Sequence, residues 1–129
     1  MPQVQNPTDQ DSLQAKETYS LIAADKVEGT SVYDAKGEKT GSIHQVMIDK
    51  RSGRVTYAVL SFGGFLGIGE KYHPLPWNML TYDENLSGYI VNLDRERLEN
   101  APSYAEDDLA WNDPRFGTTV TEYYGPFLH

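Results

Sequence analysis

The sequence predicts a mainly β domain: a small antiparallel barrel or sandwich, followed by short helices in an acidic C-terminal segment. Three observations carry this reading. From Leu21 onward, apolar runs rich in Val, Ile, Tyr and Thr alternate with turn signals about every ten residues. Two of those runs flank Lys50-Arg51-Ser52-Gly53 as the arms of a hairpin. Helix-start signals appear only after residue 93. A chain of 129 residues suits one modest domain.

The elements follow in order. Residues 1–19 are polar and poor in large apolar groups, so they read as a loose arm. "TSVYD" is a strand, closed by the glycine-bearing turn "AKGEKTG". "SIHQVMID" and "RVTYAVLSF" are the hairpin arms, with Gly53 free to take positive φ between them. "EKYHPLPW" and "SGYIVNL" complete a series of five or six strands. Strict alternation would put His44, Val46 and Ile48 on one face of their strand and Ile43, Gln45 and Met47 on the other. Tyr57 and Val59 would oppose Ala58 and Leu60. Apolar groups on both faces require cover outside the sheet, from a terminal segment or another subunit.

Residues 99–129 can supply that cover. Asp94 is placed to cap a short helix, "RERLEN", which Ala101-Pro102 ends. Ser103 and Glu106 have capping-box spacing. Asp113-Pro114 reads as an N-cap followed by Pro in the first helical position. Beyond it Phe116, Val120, Tyr123 and Tyr124 share one helical face, although Gly117 weakens the helix.

Composition excludes several classes. Cysteine is absent, which removes disulfides, a thiol nucleophile and cysteine-ligated zinc. The net charge is −8, with eight acids against three bases from residue 94 onward. Nucleic-acid binding needs a basic footprint, and only Lys50, Arg51 and Arg54 cluster, around one turn. The N-terminus has neither a basic region nor an apolar run, so no signal peptide, membrane anchor or transmembrane segment is expected. A cytoplasmic location is the expectation.

The stretch "SFGGFLGIGEKYHPLPW", with four glycines between Gly63 and Gly69, invites a phosphate-loop reading. It fails on chemistry. Glu70 stands where a phosphate loop needs lysine, and an acid there repels the ligand. As a dinucleotide fingerprint, Tyr72 occupies the third glycine position, and Pro74 and Pro76 prevent a long helix. The glycines read instead as bends between strands. His73 and Asp83 form the only polar site worth naming, a barrel mouth near Tyr72 for a small ligand or metal. No serine lies in a nucleophile-elbow pattern, and the acid clusters Asp83-Glu84 and Glu106-Asp107-Asp108 read as turn and helix-start residues. No catalytic residue, cofactor or metal is assigned.

An ordered set of pieces then carries a family likeness. It comprises Gly29, Val32 and Asp34; Gly37 and Gly41; Ile43, Ile48 and Asp49; Ser52 to Val55; Tyr57 to Leu60; the glycine run; and P-L-P-W. In this register residues 20–98 resemble a PRC-barrel domain, the family named for the cytoplasmic domain of the photosynthetic reaction centre H subunit. The C-terminal W-N-D-P and Y-Y-G pieces resemble tails of free-standing bacterial members. The resemblance implies a small, strongly bent antiparallel β-barrel with a non-enzymatic assembly role. In the H subunit such a domain affects electron and proton transfer to quinone, and in a ribosome maturation factor a related domain contacts a ribosomal protein. Neither a membrane helix like that of the first nor a companion domain like that of the second is expected from this sequence, so only fold and adaptor character carry over.

The leading expectation is therefore a protein-interaction module, a homodimer or the binder of another protein. Its interface candidates are Phe62, Phe65, Leu66, Ile68, Tyr72, Trp77, Phe116, Tyr123 and Tyr124. A small-ligand or metal-binding barrel at His73 and Asp83, a ribosome-maturation-type adaptor and an enzyme are the alternatives.

Overall fold

The computed structural model describes residues 17–18, 20–62, 71–105 and 110–127. Six strands form one curled sheet, a half-barrel. They are β1 (Ser31–Tyr33), β2 (Lys39–Ile48), β3 (Val55–Ser61), β4 (Tyr72–Pro76), β5 (Leu80–Asp83) and β6 (Gly88–Val91). A helical turn, α1 (Ala24–Val27), precedes them, and α2 (Arg95–Glu99) and α3 (Arg115–Tyr124) follow.

The mainly β architecture with C-terminal helices is as the sequence predicts, with one correction to the pairing. The sheet order is β4-β3-β2-β1-β6-β5, and all neighbours are antiparallel except β1 and β6, which run parallel. The cause lies between β4 and β5. A three-residue 3-10 turn, Trp77–Met79, joins them where a hairpin would reverse the chain. The chain carries on around this corner from one edge of the sheet to the other. One reversal is lost, so β6 returns beside β1 in the same sense. The strand Leu80–Asp83, after the corner, is absent from the strand series read in the sequence.

The predicted hairpin forms between β2 and β3, with Gly53 at φ 77°. Asp49 builds the turn. Its carboxylate accepts from the backbone N–H of Arg51 and Ser52 at 2.8 and 3.1 Å. These two bonds hold its pKa below the usual aspartate range. In β2 the register slips between Ile43 and Gln45 and again between Met47 and Ile48. The alternation expected for this strand therefore breaks. Ile43 and Val46 join the main core on one side, while Met47 packs on the other.

The main core joins Val32, Ile43, Ala58, Leu60, Leu75 and Val91 of the sheet to Leu98, Val120 and Tyr124 of the C-terminal segment. A second cluster, Val59, Tyr72 and Tyr104, lies under Trp111 and Phe116. The chain's own C-terminal segment thus covers the second face. Gly41 marks a tight point of the sheet: a β-carbon there would strike the Ser61 carbonyl and reach within 2.9 Å of the Phe62 ring.

The C-terminal signals are met in part. Asp94 caps α2, its carboxylate accepting from Arg97 N–H at 2.9 Å. α3 starts one residue later than expected, with Pro114 in the cap position, and Asp113 before it accepts from Arg115 N–H at 2.9 Å. The capping box expected from Ser103 to Glu106 reaches outside the described residues, and Tyr104 within it forms a β-bridge instead of a first helical turn. Tyr104 exchanges both backbone hydrogen bonds with Tyr72, at 2.9 and 3.0 Å. Because Tyr72 turns its backbone outward, the alternation of an antiparallel ladder turns Pro74 and Pro76 outward too. Their missing N–H groups cost no bond to β3.

Candidate functional site

The nine interface candidates separate into three groups. Phe65, Leu66 and Ile68 lie outside the described residues. Tyr72 and Tyr124 are buried within the chain, at 4% and 0% exposure, and offer no surface to a partner. This corrects the expectation that Tyr72 and Tyr124 belong to an interface. Tyr124 sits on the core side of α3 with Val120. Phe62, Trp77, Phe116 and Tyr123 are half-buried.

Each half-buried ring is already engaged along one side. Phe62 lies 4.7 Å from the His73 ring. Phe116 meets Tyr104 and Trp111 at steep angles, with centroids 5.9 and 5.0 Å away. The Tyr123 hydroxyl donates to the Arg97 carbonyl at 2.7 Å and ties α3 to α2. Trp77, in the corner turn, stands against Tyr89 at 5.4 Å.

The polar pair does not assemble. His73 lies in β4 and Asp83 in β5, the two opposite edges of the sheet order. Asp83 closes its own turn by accepting from Leu86 N–H at 3.1 Å. His73 is 4% exposed and faces Leu60 across the ladder. Burial pushes its pKa below the usual histidine value, partly opposed by a hydrogen bond to the Ala101 backbone. Its Nδ1 has no hydrogen-bond partner among the described residues. A neutral imidazole packed on Phe62 is a core residue with a polar edge, not the mouth of a barrel.

A different set of residues shapes a cavity of about 350 Å³. The hairpin between β5 and β6 pairs Tyr82 directly with Tyr89. Their rings meet at 5.1 Å and 70°. Trp77 approaches Tyr89 from the corner turn at 60°. Tyr89 is buried and forms the floor, and Trp77 and Tyr82 form walls. Glu17, Thr18, Ser20, Leu21 and Ile22 close the remaining side, with a bridge between Glu17 and Ile22. The Tyr82 hydroxyl donates to one Glu17 carboxylate oxygen at 2.7 Å, and Lys26 Nζ lies 3.2 Å from the other. These bonds, the tyrosine's first, hold the Glu17 pKa below the usual glutamate range.

Of this set only Trp77 was a candidate from sequence. The overlooked signal was "YDENLSGY". Two tyrosines flanking a turn on paired strands face each other across the hairpin. The part played by Glu17 had no signal, because it joins through tertiary contact from within the segment read as a loose arm.

The residues that carry the family likeness have structural tasks. Asp34 is buried and accepts from the backbone N–H of Lys36 and Glu38 at 2.9 and 3.0 Å. Asp49 and Ser52 hold the hairpin turn. Among the described residues no group of three or more histidines and acids could hold a metal ion. No helix among them is long and apolar enough to cross a membrane. No curated protein matches the chain. A sequence model of the PRC-barrel domain matches residues 20–98, the span that contains the whole six-strand sheet, and the chain belongs to the PRC-barrel domain family.

Proposed function

We propose that this protein is a non-enzymatic interaction and assembly module that works as a homodimer or as an adaptor for another protein. One observation carries the reading. The polar residues of the family motif, Asp34, Asp49 and Ser52, accept hydrogen bonds from the backbone of turns. That leaves surface contact, not chemistry, as the means of action. Support comes from side chains that the fold leaves outside its core. Leu21 and Ile48 are 71% and 50% exposed, and Phe62, Trp77, Phe116 and Tyr123 are partly exposed.

The second strand face is covered by the chain's own C-terminal segment, so a dimer would form elsewhere. Size-exclusion chromatography with light scattering tests the homodimer, with twice the monomer mass at micromolar concentration as the expected result. A clean monomer removes the homodimer. Failure of affinity capture from the native host to yield any stoichiometric protein partner then removes the adaptor as well.

A further inference from the structure

We propose that the cavity walled by Trp77, Tyr82 and Tyr89 binds a small alkylated ammonium cation, with Glu17 as its anionic side. The inference goes beyond protein contact and does not depend on it.

Three features select this ligand. The first is ring geometry. Two aromatic walls set at 60° and 70° to an aromatic floor turn their electron-rich faces in different directions. A rounded cation can touch all three, whereas a flat neutral ring matches only one. The second is charge. Glu17 carries its carboxylate at the rim, with Lys26 beside one oxygen, and the whole chain is at −8, so the surrounding field favours cations over anions. The third is size. About 350 Å³ lies within the range of about 300–1,000 Å³ usual for small-molecule sites.

Hydrogen bonding then discriminates among cations. Both carboxylate oxygens of Glu17 are engaged, one by Tyr82 and one by Lys26. A primary ammonium or a strongly hydrated metal ion must compete with Lys26 for the same oxygens. A quaternary ammonium has no N–H to satisfy and is weakly hydrated. It can fill the aromatic space and feel the carboxylate field without displacing either partner. Apolar Leu21 and Ile22 at the mouth suit its methyl groups.

The test uses the intact chain, isothermal titration calorimetry and two probes of equal shape. One is choline chloride. The other is its neutral carbon isostere, in which a tert-butyl group replaces trimethylammonium. Choline is expected to bind in the millimolar range, about tenfold tighter than the isostere. Trp77→Leu keeps an apolar wall but removes the ring, and should erase that preference. Glu17→Gln should weaken choline and leave the isostere unchanged. The glutamine keeps an oxygen that can accept from Tyr82, so this variant reports even where the tryptophan variant does not fold. Equal binding of the two probes, absence of choline binding at millimolar concentration, or full choline affinity in Glu17→Gln overturns the proposal.

Discussion

Tyr123 and Tyr124 are neighbours in one helix, and removing the same atom from each should change stability in opposite directions. The Tyr123 hydroxyl donates to the Arg97 carbonyl at 2.7 Å in a half-buried setting. Tyr123→Phe loses one ordinary hydrogen bond and leaves a carbonyl that water can partly reach, a cost of about 0.5–1.5 kcal/mol. The Tyr124 hydroxyl is buried, with no partner among the described residues, and burial raises its pKa far above the usual tyrosine value. An unsatisfied buried polar group costs about 1–3 kcal/mol, so Tyr124→Phe should recover about 1 kcal/mol or more. The two variants should thus differ by roughly 2 kcal/mol, or several degrees in Tm for a domain of this size. Urea unfolding followed by circular dichroism measures both, with unchanged m-values as the check that the transition stays two-state. If Tyr124→Phe is less stable than the parent, its hydroxyl has a partner, and the account of a dry, orphaned group at the core side of α3 is wrong.

Two further outcomes follow from the sheet. His73 is buried with a lowered pKa, so the unfolded chain takes up its proton first on acidification. Its contribution is fully present above about pH 6.5, the ordinary histidine value, and is lost as pH falls toward the lower folded value. Unfolding free energy measured at stepped pH from 7.5 to 5 should decline, and His73→Phe should flatten that decline; an equal slope in both proteins refutes it. Gly41→Ala should destabilise by about 1–3 kcal/mol in thermal melts, because the colliding Ser61 carbonyl is backbone and cannot turn aside. A neutral result would mean the two strands part at that point.

The elements most legible in the sequence are those written by local chemistry. Asp94 caps α2 as its spacing predicts, and Gly53 takes positive φ at the hairpin. What escaped depends on partners distant in sequence. Nothing local in "WNMLTYD" says that Trp77–Met79 turns a corner without reversing the chain, so the parallel β1–β6 contact was invisible. Strict alternation misplaced Val46, because a bulge adds a residue on one strand only and periodicity cannot see its partner. Tyr104 was read by its capping-box neighbours, but tertiary pairing with Tyr72 outweighed that weak local signal. The aromatic cavity was half legible: Trp77 stood out as a large ring, while Tyr82 and Tyr89 needed the hairpin register to be seen as a pair.

The Tyr72–Tyr104 bridge means that kinship and cooperativity have different boundaries in this chain. The family span stops at residue 98. The folding unit does not: Tyr104 bridges to the proline-bearing edge strand, and Val120 and Tyr124 are buried in the main core. A fragment cut at 98 would keep every strand and lose the lid on its sheet. It would present an apolar trough beside an unpaired edge, the combination that drives chains to aggregate. In this protein the tail is what closes the family domain.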